Sequence, residues 1–259
     1  MTLALTLAVA IGFTLALLGS GGSIITLPVL VYAAGVPVAS AVGMSLGIVG
    51  ATSLVGGLVQ HRRGLVHWPA AALFGVSGMI GAVAGAQFTP LVSPAILMLL
   101  FGALMLVIAM RMLSTGAASE FEPAPDCRPV RCALAGLGVG VLTGFLGVGG
   151  GFLIVPAMVV FARLPIKVAA GTSLMVIAAS SFAGLVAQIR HATFDWSVAG
   201  LFLIAALVGM GIGLLMNRQI PAASLRRGFG WFVLAVAVFV IVKNSLPFLA
   251  ALTLNKGRT

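Results

Sequence analysis

The chain has 259 residues, 61% of them apolar and only 7% charged, and its mean hydropathy is +1.24. Soluble domains carry about a quarter charged residues, so long apolar runs with charge confined to short gaps exclude a water-soluble domain and identify a polytopic helical membrane protein. The net charge of +10 does not point to nucleic acid, because no basic stripe is interleaved with aromatics; loop Lys and Arg instead set topology and meet lipid head groups.

Apolar segments fall at 2–34 (interrupted at 19–22), 40–60, 68–89, 94–113, 132–162 (interrupted at 147–151), 168–188, 196–217 and 226–246. The first, MTLALTLAVAIGFTLALLGSGGS, lacks a basic n-region and leads straight into glycines, so it reads as mature structure rather than a signal peptide. Between the fourth and fifth segments lies STGAASEFEPAPDCRPVR, which holds three of the four acidic residues, Glu120, Glu122 and Asp126. It reads as a linker, 114–131, between membrane repeats 1–113 and 132–259. Cys127 near its end and Cys132 just after it are expected to be reduced and incidental, since two cysteines alone make no metal site.

The two halves repeat one another. Offset by 128 residues, positions 19–85 align with 147–213 without a gap, and 22 of the 67 pairs are identical. The matches include Gly19/Gly147, Gly21/Gly149, Gly22/Gly150, Pro28/Pro156, Pro37/Pro165, Gly43/Gly171, Ser45/Ser173, Gln60/Gln188, Arg62/Arg190 and Trp68/Trp196. Shared apolar composition does not preserve Gln, Arg and Trp in register, so this is a duplication, a signature of secondary transporters.

The glycine interruptions bear on orientation. Residues 2–34 exceed the ~20 residues that a bilayer requires, whereas a chain folding back at the glycines makes a V-shaped hairpin on one side. With hairpins, ten of the Lys and Arg residues fall on one side and four on the other; with single spans the division is nine to five. The positive-inside rule therefore favours hairpins. That choice makes the linker cytoplasmic, both termini external and the halves inverted: an all-α polytopic membrane protein of two inverted-topology repeats, each a glycine-broken hairpin plus three transmembrane helices.

In this arrangement the knots Gly19–Ser23 and Gly147–Gly151 approach each other near the bilayer middle. Non-helical backbone at that depth is buried in protein or lines a cavity, and the helices that begin after each knot present free N–H groups and positive dipole ends. Such ends hold an anion without a buried Lys or Arg. The candidate substrate-binding residues are the backbone N–H groups of Gly21, Gly22, Gly149, Gly150 and Gly151, and the hydroxyls of Ser20 and Ser23. The alternative is that the glycines only let the helices turn and pack.

The second candidate pair is GMSLG at 43–47 and GTSLM at 171–175, where Ser45, Thr172 and Ser173 either face the knots or bond the preceding turn's carbonyl. GMSLG fits the G-x-S-x-G nucleophile pattern, but no strand precedes it and no triad partner follows, so an enzyme is not expected. Gln60 and Gln188 read as interfacial amides, Trp68 and Trp196 as an aromatic belt, and Gly81/Gly85 with Gly209/Gly213 as small-residue packing faces. Asp195 reads as a solvated loop acid, and His61, His67 and His191 have no metal-ligand spacing. No metal or cofactor is expected. The expected partners are a small anionic substrate and membrane lipids, with a second copy of the chain as a candidate homodimer partner.

At the knots, with G-x-G-G-G-F-L-x-V-P at 147–156 and G-T-S-L at 171–174, the sequence resembles the TauE/SafE family of membrane permeases, described as exporters of sulfite or organosulfonates. The resemblance covers essentially the whole chain. The first half departs from the fuller pattern, with Ser20, Ser23 and Met44 where the second has Val148, Gly151 and Thr172. It implies a multi-pass permease of the inner or plasma membrane that moves a small sulfur-containing anion by alternating access. An anion channel or a permease for small carboxylates is the alternative.

Overall fold

The computed structural model describes residues 2–19, 26, 29–88, 102–103, 105–107, 109–110, 113–114, 129–146, 151–188, 195–217, 219–221, 223–225, 227–231, 233–235, 237–239 and 241–242. Among these, the elements are helices with no strand. They are α1 (Thr2–Leu18), a π-helical turn (Val29–Ala33), α2 (Val38–Arg62), α3 (Trp68–Phe88), α4 (Pro129–Leu146), α5 (Gly151–Phe161), α6 (Ile166–Gln188) and α7 (Trp196–Asn217). Helical residues also occur within 102–114 and 223–242. Among the described residues, four stretches are long and apolar enough to cross a membrane: Ser40–Arg62, Trp68–Gly85, Ile166–Val186 and Trp196–Asn217. Their outward faces carry Val76, Ile80 and Val83 on α3 and Ile204, Val208 and Leu215 on α7, as lipid contact demands.

Two boundaries differ from the sequence expectation. Helix α4 starts at Pro129 inside the expected linker, because proline is favoured in a helix's first turn, where its missing N–H has no partner to lose. The arm after the first knot is helical at Thr26 and closes as the π-helical turn, where its counterpart α5 is an 11-residue α-helix containing Pro156. Cys132 is buried and disulfide-bonded, which corrects the expectation of reduced thiols; the chain's other cysteine, Cys127, lies outside the described residues.

Glycines set the pairing of the helices. A Cβ at Gly12 would fall on the Ala206 carbonyl, one at Gly209 on the Val9 carbonyl, and one at Gly213 within 2.6 Å of the Ala16 Cβ. From Gly12 beside Ala206 to Ala16 beside Gly213 and Asn217 the numbers rise together, so α1 and α7 run parallel in backbone contact, held by dispersion that a larger residue would forfeit. Helices α3 and α4 repeat this geometry: a Cβ at Gly81 would meet the Leu137 carbonyl, and one at Gly140 the Gly78 carbonyl. Gly12 and Gly140, like Gly81 and Gly209, are 128 residues apart. Each half's opening arm thus lies against a span of the other half, and the Gly81/Gly209 packing face read from sequence is the contact itself.

Helices α2 and α6 pack antiparallel. Gly50 lies opposite Ser181 and Phe182, Gly56 opposite Leu174, Gly57 opposite Met175, and Gln60 beside Gly171. These two helices are themselves equivalents in the duplication. Their approaches match too: Val36 N–H donates to the Leu30 carbonyl at 3.0 Å, and Leu164 N–H to the Met158 carbonyl at 3.2 Å. Gly35 (φ 69°) and Arg163 (φ 51°) hold the same left-handed corner, although only one of them is glycine.

Candidate functional site

The described end of the first knot is Gly19, and it is fixed by α6. Its φ of +75° turns the chain out of α1, and a Cβ there would lie 2.7 Å from the Ala170 Cα and carbonyl oxygen and from Ser173 Oγ. Ser173 is fully buried and its hydroxyl is shared between the Ala170 carbonyl at 2.8 Å and the Gly19 carbonyl at 3.2 Å. The hydroxyl early in the second half's helix therefore does both things its sequence allowed: it bonds the preceding turn and it holds the first half's knot.

Ala170 and Ser173 lie in the first two turns of α6, not at its middle. The reason is length: the 17 residues of α1 extend ~25 Å at 1.5 Å per residue, so α1 runs along most of α7 before the knot begins. Ser20, Gly21, Gly22, Ser23, Gly149 and Gly150 lie outside the described residues. Gly151 is the first residue of α5.

Thr172 has a third fate. It is fully buried and its Oγ1 accepts the His67 backbone N–H at 3.0 Å, tying the α2–α3 loop onto α6. A Cβ on the adjacent Gly171 would fall on the Leu65 carbonyl. Ser45 donates to the Val42 carbonyl at 2.9 Å, which commits its only hydrogen to the backbone.

His67 and Asp195 are equivalents, and both cap a helix. The His67 Nδ1 accepts Ala70 N–H at 3.1 Å and the Asp195 Oδ1 accepts Val198 N–H at 3.1 Å. Their surroundings differ. Where Thr172 shuts one end against His67, its equivalent Met44 lines an open cavity of about 390 Å³ together with Asp195, Ser40, Pro37 and Val198. Asp195 is exposed, as expected of a loop acid.

Spacing alone did not reveal Gln60. Instead of an exposed interfacial amide, it is fully buried, because the α2–α3 loop folds back over it; Arg63 and Leu65 N–H groups both donate to its carbonyl. Its side-chain Oε1 accepts from Arg63 Nη1 at 3.5 Å, Arg63 Nη1 also reaches the Leu214 carbonyl at 3.0 Å, and Gln60 Nε2 has no partner. Asn217, 3% exposed, donates Nδ2 to the Ala16 carbonyl at 3.2 Å and leaves its Oδ1 unpaired. Ser53 Oγ, about two turns before Gln60 on the same face of α2, is also buried without a partner. The signal in sequence was the identity of Gln60 with Gln188. Among the described residues no group of three His, Cys, Asp or Glu is placed to hold a metal.

Comparison with known proteins places the chain among membrane transporters. The family described as sulfite exporter TauE/SafE matches residues 4–240. A probable membrane transporter protein of Xylella fastidiosa is 35% identical over 241 residues, which cover 90% of this chain and 92% of that one. Probable membrane transporters of Bacillus subtilis (23% over 222 residues, 83% of this chain and 90% of the relative) and Methanocaldococcus jannaschii (26% over 243 residues, 86% and 90%) are also similar. No solved structure matches the chain.

Proposed function

From the premise that this chain belongs to the sulfite exporter TauE/SafE family and is a multi-pass membrane transporter, we propose that it carries a small anion, sulfite or an organosulfonate first, by alternating access between two inverted halves. The expected linker faces the cytoplasm, the second half begins with α4 at Pro129, and both termini are external, in an inner or plasma membrane.

The antiparallel packing of α2 on α6 supports the inversion. Duplicated helices that are antiparallel neighbours are exchanged by an axis lying in the membrane plane, the relation found in inverted-repeat carriers. If 2–34 and 132–162 were single spans, α2 and α6 would run in the same direction.

The observation that carries the transport reading is the contrast between equivalent positions. Thr172 and His67 are closed together at one end, while Met44 and Asp195 face a cavity at the other. As a carrier, the protein would be open on the side of this cavity and closed on the other, and exchange of the two arrangements would open the other side. The site lies where Ser173 grips Gly19, with the backbone N–H groups of the knot as anion donors. Ser45 is withdrawn from the donor set because its hydrogen is committed.

The reading is tested by uptake of radiolabelled sulfite, methanesulfonate and acetate into proteoliposomes of purified protein. The expected result is saturable sulfite uptake that preloading with unlabelled sulfite accelerates. Flux without saturation or counterflow favours a channel, acetate uptake in place of sulfite favours the carboxylate alternative, and no uptake of any anion contradicts the reading.

A further inference from the structure

Two buried amides in this protein each leave one polar atom unpaired, and chemistry fixes which atom it is. Arg63 offers only donors, so the Gln60 atom facing it must be the carbonyl Oε1, and the unpaired atom is the donor Nε2. The Ala16 carbonyl accepts only from an N–H, so Asn217 turns Nδ2 to it, and the unpaired atom is the acceptor Oδ1. Both residues belong to one cluster: Arg63 links Gln60 to the Leu214 carbonyl, one turn before Asn217 on α7. Gln60 lies against Gly171, between the residues Ala170 and Ser173 that hold the first knot.

A donor and an acceptor buried without partners are costly unless a ligand meets them. We propose that Gln60 and Asn217 are the two polar poles of a subsite for a monoprotonated oxyanion of the hydrogen sulfite type. The Gln60 Nε2–H₂ donates to an anionic oxygen, and Asn217 Oδ1 accepts the ligand's O–H. This rests on the transport reading above and narrows it, because a sulfonate has no hydroxyl to offer Asn217. Neutral amides suit a carrier: they recognise the oxyanion without the unscreened charge that would trap it, while the Arg63 guanidinium, held to Oε1 and the Leu214 carbonyl, orients the amide and adds a positive field behind it.

The test uses purified full-length protein in proteoliposomes with labelled sulfite, and thermal unfolding in detergent as a second readout. Gln60→Leu removes the orphan donor and Gln60→Glu replaces it with an acceptor while keeping the Arg63 contact. Both are expected to lower sulfite uptake at least tenfold. Gln60→Leu is expected to unfold near the wild-type temperature, since it removes the unpaired Nε2 and Arg63 keeps the Leu214 carbonyl as acceptor. Excess methanesulfonate is expected to compete at least tenfold more weakly than unlabelled sulfite. Wild-type uptake in Gln60→Glu, or loss of uptake matched by loss of thermal stability in both variants, overturns the Gln60 pole. Equal competition by methanesulfonate overturns the Asn217 pole. Absence of sulfite uptake by the wild-type protein overturns the transport reading itself.

Discussion

Gly19→Val is expected to reduce anion uptake by two orders of magnitude or more in the proteoliposome assay. Gly19 has φ +75°, and a left-handed conformation costs an L-residue ~1–2 kcal/mol, more for a β-branched one. The new Cβ would also press on the Ala170 backbone and on Ser173 Oγ, each 2.7 Å away; overpacking of this kind costs ~1–3 kcal/mol. The backbone of α6 is not free to retreat, because Gly171 and Thr172 are pinned from the other side by Leu65 and His67. The first knot must therefore move away from Ser173. Gly35→Val is the control, since Gly35 has φ +69° but nothing within 4 Å of the new Cβ. It carries the same backbone strain away from the Gly19–Ser173 contact, at the rim of the Met44–Asp195 cavity, and is expected to lose far less uptake. Equal losses in the two variants would assign the effect to strain and not to the Gly19–Ser173 contact.

The second large effect concerns assembly. Gly209→Leu is expected to deprive the purified protein of a cooperative melting transition, because the Cβ alone would fall on the Val9 carbonyl in α1. Side-chain rotation does not relieve a clash with backbone, so the cost is at the upper end of the ~1–3 kcal/mol of ordinary overpacking or beyond it. The α1–α7 pairing would open along with the neighbouring contact of Gly12 on Ala206. Gly211→Leu, on the same helix but facing open space, is expected to melt like wild type. A Gly209→Leu protein with unchanged melting would contradict the close parallel approach of the two helices.

Much of this architecture is legible in the sequence because duplication writes it twice. The register shared by Gly12/Gly140 and Gly81/Gly209 reappears as two helix pairs with the same backbone contact. Segment boundaries followed hydropathy because a bilayer sets the length of a span. Other features depended on tertiary context that periodicity does not carry. Gln60 precedes His-Arg-Arg and so resembles an interfacial amide, yet the following loop covers it. The three hydroxyls of the GMSLG and GTSLM segments are alike in sequence but take three different partners, the helix backbone for Ser45, the loop for Thr172 and the opposing knot for Ser173. That Gly19 meets the first two turns of α6 depended on how far α1 runs beside α7, which only their packing decides. Arg163 occupies a corner that glycine takes in the other half, and the flanking hydrogen bonds, not its own propensity, hold it there.

The account stands on the two halves facing opposite sides of the membrane, and sidedness at one equivalent pair tests it most directly. Pro37 and Pro165 occupy the same position in the duplication, and both are exposed. In a protein with Cys127 and Cys132 replaced by serine, Pro37→Cys and Pro165→Cys would each be labelled with a membrane-impermeant maleimide in oriented vesicles. The account predicts that Pro37→Cys reacts only from the external side and Pro165→Cys only from the cytoplasmic side. Reaction of both from the same side would make the halves parallel and would contradict the account.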